Sequence, residues 1–345
     1  MNLTNKIKAM RKVASILLIP AILFASVTGY SAEKPKKKTT ALYPVAGKIE
    51  RKSFLLDKLF STNAVVEKVA EGFTYASACV DFMGNILVGD ISTNLIYRWN
   101  EQKGLGIFQP LKVYATNLSG LWGVSSLALD PAGNLIIAHH GDRRILRRLS
   151  DGHLISMADY FNWMRFNGPA GVAIKSNGDI YFADPPYEVF DSSVKPPQKE
   201  MVFNGIYRVT RNGFVDLLSS KVSCPMALAF TPDEKGLYVL NCETANPTVL
   251  RCSVKKDGTL EKPEVFLALT NFVEKIHPYG LVVNRNGNLF IPSDSGVLIF
   301  SPTTRFLGII KTDFPATSCA FDRACNYLYI TTRHNLCRVP IDGKK

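Results

Sequence analysis

The stretch Val172–Asp184 reads VAIKSNGDIYFAD: a short apolar run, a polar turn holding Gly178, then a second apolar run closed by an acid. That is the pattern of two antiparallel strands joined by a tight turn. The same unit recurs as ACVDFMGNILVGD from Ala78, LALDPAGNLIIAH from Leu127, LAFTPDEKGLYVL from Leu228, LVVNRNGNLFIPS from Leu281 and CAFDRACNYLYIT from Cys319. Taking the first aliphatic residue after each turn (Ile86, Leu135, Ile180, Leu237, Leu289 and Leu328), the intervals are 49, 45, 57, 52 and 39 residues. A repeat of roughly 40–55 residues with strand–turn–strand content marks a radial all-β fold, one four-stranded blade per repeat. The reading is a six-bladed β-propeller.

Further strands are expected at Leu95–Trp99, Ile145–Leu149, Gly205–Val209, Val249–Ser253 and Val297–Phe300. The longest interval holds Pro185-Pro186 and Pro196-Pro197, so residues 185–203 read as a long loop on one rim. After Cys319–Phe321, Tyr327–Thr332 and Leu336–Val339 only six residues remain, which leaves the last blade one strand short. The spare strand lies at the front, around Val65–Val69, and its addition would close the ring and remove two open edges. The propeller is therefore placed at 63–345.

The chain has 345 residues, is 46% hydrophobic and 20% charged, and carries a formal charge of +12. Such a composition excludes a disordered or collagen-like chain. The basicity is uneven: eight cations against Glu33 give the first forty residues a net +7, leaving +5 for the other 305. Lys6, Lys8, Arg11 and Lys12 precede an apolar run from Val13 to Val27, and small residues follow. This is the layout of a secretory signal peptide over residues 1–32, because the run falls short of the roughly 20 residues a spanning helix needs. Export to the periplasm or medium is expected, with an uncleaved N-terminal anchor as the alternative, and no integral membrane span after cleavage. Residues 33–62 read as a basic, solvated linker ending in a short helix or docking segment at Ser53–Phe60. Export and the position of the charge argue against a nucleic-acid partner. The sequence carries no signal for an oligomeric state.

In a propeller the innermost strand of each blade begins at one mouth of the central channel. The residues before the repeated inner strands are Ala76, Ser125, Ala170, Met226, Tyr279 and Thr317, and these are expected to line it, with the residues that follow them, Ser77, Ser126, Gly171, Ala227, Gly280 and Ser318. Other candidates have ordinary readings. His139 and His140 are adjacent on a strand and point to opposite faces, so they form no dyad. Asp90 and Asp184 end equivalent strands, where Asp bonds turn amides. Arg143, Arg144, Arg147 and Arg148 alternate in direction and make no single phosphate face. There is no P-loop, strand-linked G-x-G-x-x-G or G-x-S-x-G motif. The seven cysteines include no C-x-x-C; Cys242 and Cys252 lie on consecutive strands and are expected either to meet across a hairpin or to be buried free thiols.

From about Gly72 to Pro340 the sequence resembles the SMP-30/gluconolactonase/luciferin-regenerating-enzyme family. The matching segments are His140-Gly141-Asp142-Arg143-Arg144-Ile145, Asn167-Gly168-Pro169, Gly178–Tyr187, Gly205–Val209, Pro232–Val239 and Leu328–Thr331. The resemblance implies a lactone hydrolase with a divalent cation, calcium or zinc, at the channel mouth. It further implies a ligand set of one Glu, two Asn and one Asp. Glu71 of Glu71-Gly72 is the one ligand the resemblance finds retained, while Ala170, Met226 and Tyr279 stand where the Asn, Asn and Asp are expected. One carboxylate with an alanine, a thioether and a phenol falls short of the donors such a cation takes, so no bound cation is expected. Tyr279 and His140 are the candidate catalytic groups. Two functions follow: a lactone or ester hydrolase with an altered or metal-free site acting on a lactone-like substrate in the channel, or a non-catalytic propeller binding a small molecule or a partner protein.

Overall fold

A computed structural model describes residues 42–111, 123–190 and 199–342. The leader read at residues 1–32 lies outside the described residues.

Six sheets make up six blades. Blade 1 holds Ala76–Phe82, Asn85–Asp90, Leu95–Asn100 and Gly104–Pro110; blade 2 holds Val124–Leu129, Leu135–His139, Arg144–Arg148 and Leu154–Ala158. Blade 3 runs Val172–Ile174, Ile180–Asp184, Gly205–Val209 and Val215–Ser219; blade 4 runs Pro225–Phe230, Gly236–Asn241, Thr248–Ser253 and Glu264–Ala268. Blade 5 contains Val282–Val283, Leu289–Ser293, Gly296–Phe300 and Phe306–Thr312, and blade 6 contains Ala316–Phe321, Tyr327–Thr332 and Asn335–Pro340. A two-stranded hairpin, Tyr160–Phe161 with Met164–Arg165, stands apart from the blades. Among the described residues no helix is long and apolar enough to cross a membrane.

The second strand of each blade is an unbroken apolar run because both of its faces are buried. In blade 3, Ile180 and Phe182 join a core cluster shared with blade 2, while Tyr181 and Ala183 join one shared with blade 4. Each seam between neighbouring blades has one such cluster, six around the ring. The period-2 alternation of a strand thus serves two seams at once.

The N-terminal strand Glu67–Glu71 completes blade 6 by pairing antiparallel with Asn335–Pro340. Glu67 and Arg338 seal that closure with a buried ion pair at 2.8 Å. One strand was not foreseen. Gly47–Arg51, inside the segment read as a solvated linker, pairs with Phe306–Thr312 as a fifth, outer strand of blade 5. Its sequence GKIER has a single apolar side chain, so nothing in its hydropathy separates it from a linker. The short helix expected at Ser53–Phe60 is a 3-10 helix at Phe54–Lys58, whose Leu56 is buried in the seam between blades 5 and 6.

Candidate functional site at the channel mouth

Four inner strands carry a β-bulge at the same place. The register slips between Ala76 and Ala78, Val124 and Ser126, Pro225 and Ala227, and Ala316 and Ser318, leaving Ser77, Ser125, Met226 and Thr317 as the extra residues. A bulge re-aims its side chain, and here the bulged residues line a channel cavity of about 230 Å³ with Ala170 and Tyr279. Those two come from blades 3 and 5, where the inner strand is shorter but Ala170 and Tyr279 still donate to Ala183 O and Pro292 O, at 2.9 and 2.8 Å. The channel ring is therefore Ser77, Ser125, Ala170, Met226, Tyr279 and Thr317. Ala76, expected from spacing, is instead fully buried in the seam between blades 6 and 1.

Three ring hydroxyls are turned outward to neighbouring backbones. Ser77 donates to Val124 O, Ser125 to Pro169 O at 2.7 Å, and Thr317 to Ala76 O at 2.6 Å. Each tie joins one blade to the next.

Phe190, Met226 and Tyr279 also form the floor of a larger, open cavity of about 740 Å³. Its walls include Tyr75, Glu188, Cys224, Cys242, His277 and Arg333. His277 is followed by Pro278-Tyr279, and Asp294 follows the second strand of blade 5. Asp294 accepts the His277 backbone N–H at 3.2 Å with Oδ1, and its Oδ2 faces His277 Nδ1 at 3.1 Å. That contact fixes the imidazole with Nδ1 toward the carboxylate and leaves Nε2 for another partner. The Arg333 guanidinium lies 4.9 Å from the centre of the Tyr75 ring, and Arg333 lines the same cavity as Tyr279. Burial raises the Tyr279 phenol above its ordinary range, Arg333 pulling weakly the other way, so it is a protonated donor at neutral pH.

Residues 69–334 match the family described as SMP-30/Gluconolactonase/LRE-like region. The chain belongs to this family. A curated gluconolactonase of Zymomonas mobilis is 29% identical over 331 residues, spanning 91% of each chain. Among solved structures, a gluconolactonase from Xanthomonas campestris superposes with TM-score 0.76 at 23% identity, covering 88% of this chain and 99% of its own. Regucalcin from Agrobacterium tumefaciens, described as a calcium-binding protein, gives 0.62 at 16% identity, with 88% and 96% covered. The two solved structures show that the fold is shared.

Against that family background, several expected site residues sit elsewhere. Glu71 is not at the mouth: it ends the outermost strand of blade 6, its side chain is 68% exposed, and it pairs with Lys68. The residue of that segment that lines the mouth is Tyr75, four positions on. His140 is buried off the channel. Its Nδ1 is 3.1 Å from Gly168 O and its Nε2 2.8 Å from Tyr187 O, with the ring stacked on Tyr187. Burial pushes its pKa down to about 4, so it is a neutral strut beneath the Gly168–Ala170 turn and not a catalytic group at the mouth. Asp184 caps the same turn, accepting from Asn167 and Gly168 N–H at 2.8 and 2.7 Å, while burial pushes its pKa up to about 7. Asp90 likewise accepts Thr74 N–H at 2.8 Å. The arginine cluster disperses: Arg147 faces Asp130 at 3.3 Å, Arg148 faces Gln109 at 3.1 Å, and Arg143 faces Glu200 at 3.3 Å.

Cys242 and Cys252 do not meet. The hairpin register pairs Asn241 with Thr248 and Leu237 with Cys252, which puts the two cysteines at opposite ends. Cys242 instead faces Cys224, their sulfurs 2.6 Å apart. Sequence reasoning also missed His277 and Arg333. The signal available was the position of His277, two residues before a ring residue, with an acid closing the next strand.

Proposed function

We propose that this propeller is a lactone or ester hydrolase whose mouth works without the cation usual in its family. The observation that carries this reading is His277, which is held by Asp294 and lines the same cavity as Tyr279 and Arg333. The ring offers Ala170, Met226 and Tyr279, with Tyr75 above them. Among the described residues no group of three or more His, Cys, Asp or Glu converges to hold a metal. A methyl, a thioether and two phenols do not fit calcium, which takes six to eight oxygens, nor zinc.

The chemistry then rests on side chains. Asp294 holds the His277 imidazole so that Nε2 can take a proton from water, the general-base role. The Tyr279 hydroxyl and the Arg333 N–H groups donate to the carbonyl oxygen as negative charge develops there, which is stabilisation of the oxyanion kind. Phe190 and Met226 give the floor its apolar surface, suited to the body of a small lactone or aryl ester. Export through the N-terminal leader belongs to the same proposal and places the activity outside the cytoplasm. It rests on the charged, apolar and small-residue order of residues 1–32.

The same apolar floor also suits the second reading, a propeller that binds a ligand without turning it over. Purified protein assayed against aldonolactones and aryl esters separates the two. The hydrolase reading expects turnover above buffer in wild type that His277→Ala lowers by roughly 10²–10⁴-fold. Turnover absent across the panel contradicts it and leaves the binding reading.

A further inference from the structure

The wall of the mouth carries a pair of cysteines that the hydrolytic reading does not use. Cys224 immediately precedes the blade 4 strand Pro225–Phe230, and Cys242 immediately follows its neighbour Gly236–Asn241. The ladder pairs Pro225 with Asn241, so the next rung brings 224 and 242 side by side. The Cys242 N–H donates to Cys224 O at 2.9 Å, and the two sulfurs are in contact. Facing residues of an antiparallel pair have Cα atoms roughly 4.5–5.5 Å apart, inside the range a disulfide spans.

The surroundings hold this rung in place. Asn241 Oδ1 accepts from Cys224 N–H at 2.9 Å and from the Ser223 hydroxyl at 3.1 Å. The Ser223 hydroxyl also contacts Glu243 at 3.0 Å, and Asn204 donates to Ser223 O at 2.6 Å. Both cysteines line the open mouth cavity and are only partly buried, so a thiol reagent can reach them. Cys79, Cys252, Cys319 and Cys337 are buried.

We propose that Cys224 and Cys242 form a reversible cross-strand disulfide in the mouth wall, made by thiol–disulfide exchange with a small or protein disulfide. The Cys224 thiolate attacks the oxidant RSSR, giving a mixed disulfide and RS⁻. The Cys242 thiolate then displaces the second RS⁻, closing the bond. The two protons from the cysteines leave on two RSH, so one disulfide is consumed and one is made. The hydrogen bond from Cys242 lowers the Cys224 pKa, which suits Cys224 as the attacking thiol. The bond fixes the residue two positions before Met226 to the segment leading into Thr244, tying together one side of the mouth. Oxidation thereby stiffens the wall of the cavity, and reduction frees it.

This inference goes beyond the hydrolytic reading and does not depend on it, because its readout is mass. The full chain is treated with oxidised glutathione or with dithiothreitol, then alkylated, weighed intact and peptide-mapped without reduction. The oxidised protein should lose two alkylation sites relative to the reduced protein and yield one cross-linked peptide pair containing 224 and 242. Cys325→Ser should still form the pair, whereas Cys224→Ser and Cys242→Ser should not. Melting of the oxidised wild type should shift upward relative to the reduced form, as expected for a cross-link that constrains the unfolded chain. Equal alkylation in both states, a stable glutathione adduct with no internal bond, or a cross-link to another cysteine would each overturn the proposal. Mapping on wild type alone decides this even where a serine variant fails to fold.

Discussion

The ring around the channel has two halves built on one backbone plan. In blades 6, 1 and 2 the ring residues are Thr317, Ser77 and Ser125, and each spends its hydroxyl on a carbonyl of the following blade. In blades 3, 4 and 5 they are Ala170, Met226 and Tyr279, which make no such tie and face the mouth cavity or pack beneath it. The open half is held by other means. A methyl placed on Gly171 would come within 2.7 Å of Met226 O, so blade 3 approaches blade 4 more closely than any side chain allows. Beneath it, neutral His140 and the Asp184 carboxyl support the Gly168–Ala170 turn. The difference teaches that polar ring positions serve closure here, and that the mouth cavity opens over the half whose ring residues are free of it.

The largest expected effect breaks the two halves apart functionally. His277→Ala should lower turnover by roughly 10²–10⁴-fold, the usual worth of a positioned general base, with the melting temperature unchanged. Thr317→Val should do the reverse, leaving turnover intact.

Acid should strike the open half next. Burial holds the His140 pKa at about 4 in the folded chain, below the ordinary 6.5 of an exposed histidine. Between those values the unfolded chain binds a proton that the folded chain refuses, so stability falls as pH drops through that window. Asp184 runs the other way: its pKa raised to about 7 favours the folded state at low pH and offsets part of the loss. Thermal melts of His140→Gln across pH 4–7 should show a flatter acid limb than wild type, and an unchanged limb would show that the strut carries no such linkage.

Smaller effects sharpen the seam comparison. Thr317→Val strands buried carbonyls and should cost about 1–3 kcal/mol in urea denaturation. Gly171→Ala should cost a similar amount by overpacking. Met226→Leu conserves volume and should cost less than about 1.5 kcal/mol.

Much of the fold was legible because each blade repeats one hairpin whose second strand is buried on both faces. Closure by a front strand followed from counting the strands after Cys319. The strand Gly47–Arg51 was not legible, since an outer strand with one apolar residue looks like a linker. At the site, spacing pointed to Ser125, Ala170, Met226, Tyr279 and Thr317, while in blade 1 it put Ala76 ahead of the next residue, Ser77, which is the bulged one that lines the cavity. Glu71 matched a short motif while its strand runs along the outside of blade 6. The mouth groups His277, Arg333 and Tyr75 come from blades 5, 6 and 1, far apart in sequence, and only the closed ring brings them together.

The most direct test of the central claim is the cation dependence of turnover. Wild-type protein is assayed with a hydrolysed lactone after exhaustive chelation and again with added calcium or zinc. The account predicts the same rate in both, and cation binding measured by calorimetry only after Tyr75→Glu, Ala170→Asn, Met226→Asn and Tyr279→Asp are combined. Activity lost on chelation and restored by a divalent cation, with stoichiometric binding to the wild type, would contradict it.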